Sequence, residues 1–371
     1  MGCKVLQCKI QNIRLKQKNI VLPLRLLRQI RTFTPCNIIL RTVAFVRRTK
    51  NKKKSTKTML TRRHLRAKVM QALYAYRQSH SQDMAVAEKN LLTGIDRIMD
   101  LYAMQTALLF SVVRMADAKI EARRGKRFAT PEELNPNMKF VRNPVLAAME
   151  GNKKLSEAAS KYASSWADRS EYVEAALGQL EASPKYGEYM DSQDDSFGTH
   201  KRFAIYVFKN VIAPSDALLD YYEDCNMEWA ADIQVANTML LKTMEDIKEE
   251  NPSGFEIPSL YKDEGDREFA VRLLRETEKG SAQYKAMIEQ KAENWDSERI
   301  AMVDFILMEM AIAEFMNFPS IPTKVTLNEY IEISKDYSTA KSRIFVNGIL
   351  DRILAWLEAD GKIKKAGRGL M

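Results

Sequence analysis

From Trp295 to Leu357 the apolar residues recur at three- and four-residue intervals, a period that helices satisfy and strands do not. Ile300, Val303, Ile306, Leu307 and Met310 predict one helix with a single apolar stripe. Phe318-Pro319-Ser320-Ile321-Pro322 must end it, because each proline disfavours αR geometry in the residue before it. A second helix, over Thr326–Lys335, puts Leu327, Tyr330 and Ile331 on one side. A third begins near Ser338 or Thr339 and is expected to bury Ile344, Phe345, Ile349, Ile353 and Leu357.

Upstream the same period prevails. Thr61–Gln78 reads as a helix with Leu65, Val69, Ala72, Leu73 and Tyr76 inward, and Met84–Arg123 as a longer one. Phe128–Pro144 is loop-like, apart from a helical turn implied by the capping box Thr130-Pro131-Glu132-Glu133. Asn143-Pro144 looks like another helix start. Further helices are predicted over Leu155–Leu180, from Pro214-Ser215-Asp216, over Trp229–Glu249 and over Asp266–Asn294, with Phe203–Val211 as a buried segment. That makes eight or nine helices and no strand pair, since the β-like runs are confined to Val21–Leu24 and Cys36–Val46. The expected fold class is all-α.

Charge divides the chain. The net charge of +10 conceals a leader, residues 1–58, with sixteen Lys or Arg and no acid, and a body with 42 basic against 48 acidic residues. The leader resembles a transit peptide in composition, and Asn51-Lys52-Lys53-Lys54 would suit a nucleic-acid arm. The reading adopted is that Met59 starts the native chain, because composition changes abruptly there. The body holds one cysteine, Cys225, which suits a reducing, cytoplasmic setting. No uninterrupted apolar run reaches the roughly 18–20 residues that cross a bilayer, so no membrane partner is expected.

Catalytic inventory is thin. His64, His80 and His200 are far apart, so no zinc spacing exists, and no metal or other cofactor is expected. Neither GxxxxGK[ST] nor GxGxxG occurs, and there is no GxSxG elbow. A binding protein is expected rather than an enzyme. Its one conspicuous feature is Arg62, Arg63 and Arg66 at a helix N-terminus, where the macrodipole prefers anions. An anionic partner would compensate, and arginine suits bidentate phosphate contacts and stacking on bases. Pairing with acids of the body, or a solvated first turn, would serve equally.

The run Arg62-Arg63-His64-Leu65-Arg66-Ala67-Lys68-Val69-Met70-Gln71-Ala72-Leu73-Tyr74 resembles the opening helix of the NusB family of bacterial transcription antitermination factors. Trp295–Ile300 through Asp304, Leu307 and Glu314 resembles the family's central helix. Ile321–Glu329 with Glu332–Lys335 is similar to the next helix, and Phe345-Val346-Asn347-Gly348-Ile349-Leu350-Asp351 to its strongest signature. Gly348 inside that helix costs about 1 kcal/mol, which close approach of a neighbouring helix would justify.

The resemblance implies a NusB-like helical bundle interrupted by a helical insertion, as in long forms from Bacteroidetes-type bacteria. Its parts are a basic leader (1–58), a first core segment (59–118), an insertion (119–262), a second core segment (263–360) and a basic tail (361–371). It further implies a non-enzymatic factor that pairs with NusE, a small-subunit ribosomal protein, on boxA RNA within the RNA polymerase antitermination complex. Arg62, Arg63 and Arg66, with Lys341, Ser342, Arg343 and Phe345, match the RNA-contacting regions. Lys341 departs from an acidic residue found in some members. Tyr74, Asp304 and Met308 match the NusE side, although Tyr74 and Met308 suit a core equally and Asp304 a solvated charge, and a phenylalanine at the spacing of Phe345 is more often core than a stacking platform. A helical scaffold for another protein is the alternative, as is a module like the front end of certain ribosomal RNA methyltransferases. Those carry a glycine-rich cofactor domain behind the fold.

Overall fold

The computed structural model describes residues 59–79, 83–292, 300–363 and 365. The leader with its β-like runs, His80, Trp295 and most of the basic tail lie outside the described residues.

Sixteen α-helices and no strand occur among the described residues. They are α1 (Arg62–Gln78), α2 (Met84–Arg124), α3 (Pro131–Leu134), α4 (Pro144–Gly151), α5 (Lys153–Ser160), α6 (Ala163–Ala167), α7 (Ser170–Glu181) and α8 (Pro184–Asp191). Then come α9 (Phe197–Tyr206), continued by a π-helical turn (Val207–Ile212), α10 (Asp216–Cys225) and α11 (Trp229–Asp246). The chain closes with α12 (Glu264–Lys279), α13 (Ser281–Lys291), α14 (Met302–Asn317), α15 (Thr323–Tyr337) and α16 (Ala340–Ala359). The chain is all-α.

Two compact units are formed. One joins Thr61–Leu92 to the chain from Glu264 onward, and the other holds Thr93–Asp263 with Met59 and Leu60. In the first unit α14 is the central element, packed against α1, α12, α13, α15 and α16. Its residues from Ile306 to Phe315 are all buried, so it is a helix covered on every side. Three of its buried residues, Asp304, Glu309 and Glu314, are carboxylates, and each needs a partner. Arg77 of α1 answers Glu309, and Ser281 also donates to it at 2.7 Å.

In the second unit, the Thr93–Arg124 part of α2 packs with an aromatic cluster around Trp166. The Trp166 indole N–H donates to the Met104 carbonyl at 2.9 Å. Seating that indole breaks the expected helix over Leu155–Leu180 into α5, α6 and α7. Tertiary packing overrides the local period there, and similar interruptions raise the helix count well above nine.

The expected helix over Asp266–Asn294 is likewise two helices. They part at Gly280, where the Tyr284 ring lies 2.2 Å from the position a Cβ would occupy. Gly348 behaves oppositely: a Cβ there would meet nothing within 4 Å, so the close approach expected at this position is absent. Ile344, expected inward, is 73% exposed. An 18-residue window of α2 is apolar enough to span a bilayer, which no uninterrupted run suggested. Two-thirds of that window (67%) is buried in the protein, as in a core helix.

Candidate nucleic-acid interface

Thr61 caps α1, accepting from the His64 N–H at 3.4 Å, while the His64 ring Nδ1 accepts from the Thr61 N–H at 3.2 Å. A histidine thus takes the place of the usual Glu or Gln in the capping box. Burial, reinforced by the neighbouring Arg63 charge, lowers the His64 pKa to about 4. The ring is neutral near neutral pH, as an acceptor must be.

The three arginines of this turn meet different fates. Arg62 is half-exposed, with Nε 3.5 Å from Asp266 of α12 and its guanidinium 4.9 Å from the Phe269 ring centroid. Arg63, also half-exposed, donates from Nε and Nη2 to both oxygens of Glu329 at 2.8 and 2.9 Å, and Glu332 lies 3.9 Å away. Those hydrogen bonds, against the cost of burial, raise the Arg63 pKa, and they hold the Glu329 carboxyl below its usual range.

Arg66 does not belong to the surface. It is 2% exposed and donates to both oxygens of Glu314 at 2.8 and 2.7 Å. Glu314, itself 0% exposed, also accepts from Thr326 at 2.7 Å and from Tyr330 at 3.2 Å. Burial opposes the Arg66 charge, but the Glu314 hydrogen bonds and charge outweigh it, and the pKa is raised. The expectation that Arg66 contacts RNA is therefore corrected: in the folded chain it is a core residue welded to α14 and α15.

The second predicted region opens α16. Thr339 caps this helix, accepting from the Ser342 N–H at 3.1 Å. Lys341 is exposed, Ser342 and Arg343 are partly exposed, and the bare Ile344 side chain stands beside them. Phe345 is 8% exposed and faces the core, so it is no stacking platform here. Asp304, at 2% exposure, hydrogen-bonds Ser338 and Ser342 from beneath this turn, and burial raises its pKa despite those bonds. One of its oxygens, Oδ1, has no partner. Tyr74 and Met308, at 5% and 0%, are also inside. The three residues matched to the partner side therefore present almost no surface.

Among the described residues no hydrogen bond or ion pair joins the two basic patches; α15 lies against α1 and α16 and links them. Arg63 meets its second turn at Glu329, whereas Gln71 of α1 reaches Tyr337 at its last residue (3.2 Å), just before Lys341. Eight residues of helix, about 12 Å of rise, separate those points. Glu329, Glu332 and Asp336 lie along that length, and all three act electrostatically on Arg63. The sequence left pairing with acids of the body open without naming these carboxylates, although an acid three or four residues from another on an amphipathic helix was visible.

This arrangement defines a class: a helical bundle whose buried central helix carries acids, with the arginine-bearing first helix fastened to it. Comparison with known proteins makes the assignment narrower. The NusB family profile matches residues 233–355. A transcription antitermination protein NusB from Salinibacter ruber is 45% identical over 112 residues, covering 30% of this chain and 70% of that protein. Its namesake from Chloroherpeton thalassium is 39% identical over 105 residues, 28% of this chain and 50% of the relative. That from Koribacter versatilis is 42% identical over 98 residues, 26% and 67% respectively. No solved structure gives a significant match. The chain belongs to the NusB family.

Proposed function

We propose that this chain is a non-catalytic transcription antitermination factor that binds boxA RNA and pairs with NusE, working on nascent transcripts in the cytoplasm. Relatives at 39–45% identity bear the name transcription antitermination protein. The observation that carries the RNA reading is the half-exposed pair Arg62 and Arg63, whose side chains keep 48% and 43% of their surface open. Lys341, Ser342 and Arg343 form the second contact region. On this reading the family core comprises 59–118 and 263–360 and the added segment 119–262; the family profile, at 233–355, supports the second core part, includes the last thirty residues of the added segment and does not extend to 59–118.

Arginine variants test this reading. R62Q/R63Q should weaken binding to a boxA oligonucleotide. It should also lower the slope of log K against log salt by about 0.7 for each phosphate of the single strand that is no longer neutralised. The melting temperature should fall modestly, because both side chains are half-exposed but Arg63 gives up its bidentate pair with Glu329. The body, residues 59–371, is net acidic, so RNA binding by the body alone should be weak and should tighten once the basic partner is added. Unaltered RNA affinity in R62Q/R63Q would exclude the arginine face.

A further inference from the structure

The second unit carries a cationic tip that the family core does not account for. Residues 93–263 hold 20 Lys or Arg against 28 Asp or Glu, yet four of those cations fall within residues 123–127. Arg123 and Arg124 end α2, where cations complement the helix dipole, and that role alone would explain two of the four. It does not explain Lys126 and Arg127, which lie beyond the helix, nor Phe128, which is 86% exposed.

The tip has a defined construction. Glu121 holds Arg124 at 2.8 Å, and Glu133 holds Lys126 at 2.6 Å while closing the capping box on Thr130. Arg123 and Arg127 make no ion pair with any described residue. The Arg127 guanidinium sits 5.6 Å from the centre of the Phe128 ring. Beside Arg123 a groove of about 280 Å³ opens, lined also by Glu132, Glu133, Asn137, Tyr186 and the ion pair Lys119–Glu181 (3.3 Å).

We infer that this tip is a second binding site for single-stranded RNA, in which a base stacks on Phe128 and Arg123 and Arg127 take phosphates. An exposed aromatic ring with an arginine beside it, next to further cations, is the pairing that sequence-tolerant single-strand binders use. The groove's amide, carboxylate and phenol groups can accept from and donate to base edges. A lipid surface fits less well, because the polar groove beside the ring offers base-edge partners that a headgroup contact would leave unused. The inference rests on the RNA-binding reading above and extends it to the insertion.

The test uses the full chain, a short single-stranded RNA carrying boxA with unstructured flanks, and fluorescence anisotropy. F128A should weaken binding roughly fivefold or more. R123Q/R127Q should weaken it and lower the salt slope by about 1.4, two phosphates' worth for a single strand. Both variants should melt like the parent, since the altered side chains are exposed. Crosslinking with 4-thiouridine RNA should label the peptide containing Phe128. If R62Q/R63Q weakens binding and the tip variants do not, the tip proposal fails and the core reading stands. If the tip variants weaken it and R62Q/R63Q does not, the tip stands alone. Tip-dependent binding to vesicles of mixed phosphatidylcholine and phosphatidylserine, with RNA affinity unchanged, would overturn the proposal in favour of a membrane contact.

Discussion

Removing the Glu314 carboxylate should be among the most damaging single changes available to the first unit. It accepts two hydrogen bonds from Arg66, one from Thr326 and one from Tyr330, and neither it nor Arg66 has meaningful contact with water. Glu314→Ala strands a guanidinium inside the bundle, a change that costs about 3–5 kcal/mol when a buried pair loses one member. The two orphaned hydroxyls add to this, at up to about 1–3 kcal/mol each if they find no other acceptor. Against a typical total stability of about 5–15 kcal/mol, the unit would be left marginal or unfolded. Arg66→Ala should fall in the same range, because it leaves Glu314 charged and buried. The assay is hydrogen exchange read on peptides of α1 and α14, with urea unfolding where the variants stay soluble, since a chain of two units need not unfold in one step. The combined change Arg66→Met/Glu314→Leu/Thr326→Val/Tyr330→Phe removes the charges and hydroxyls together and should recover most of the loss. Two single variants that each cost under about 1 kcal/mol and add independently would refute the buried pair. So would α1 peptides whose exchange does not change.

Other outcomes follow from neighbouring geometry. Glu329→Gln removes the anion that holds Arg63 and should raise RNA affinity a few-fold while steepening its salt dependence, measured by anisotropy; unchanged or weaker binding would remove Glu329 as a competitor. For His64 the folded pKa, about 4, lies below the unfolded value, so the folded state binds fewer protons. Its contribution is intact above about pH 6.5 and is lost as pH falls toward 4, on the order of 3 kcal/mol at most. His64→Gln, which keeps an acceptor without a titrating ring, should flatten that part of the melting-temperature profile. Gly348→Ala should stabilise the chain by about 0.5–1 kcal/mol, because the added methyl meets open space and glycine disfavours a helix interior. Destabilisation there would show that the position is filled in a way the packing around α16 does not suggest.

Legibility from the sequence varied with the kind of signal. Helix starts written as caps were readable: Thr61, Thr130, Asn143 and Ser215 each cap the helix expected of them. The three C-terminal helices were readable too, because prolines and a dense apolar period leave one parsing. Breaks caused by distant packing were not. Nothing local marks the interruptions around Trp166, whose position depends on a carbonyl 62 residues away. Exposure at the site was the least readable property. Arg62, Arg63 and Arg66 are chemically identical and adjacent on one helix, and only the placement of Glu314 on α14 separates a core arginine from two surface ones. Ile344 fails for a related reason: in the first two turns of α16 its neighbour Phe345 takes the inward position.

The acids around α1 also change what the arginines imply. Three cations on the first turn of a helix oppose its dipole, and that mismatch pointed toward an anionic partner. The fold supplies the anions itself, Asp266 from α12, Glu314 from α14 and Glu329 from α15, so the mismatch is resolved before any ligand arrives. The case for RNA then rests on the surface that Arg62 and Arg63 retain, and not on unbalanced charge. Binding becomes an exchange in which a phosphate must displace or share a carboxylate already held at 2.8–2.9 Å. Such an exchange yields little net affinity, since one charge-assisted pair replaces another. An acidic body that binds RNA this way needs help from a basic partner or from further contacts. Both the NusE pairing and the tip at Arg123–Phe128 would supply that, and the salt slope of each variant separates their shares.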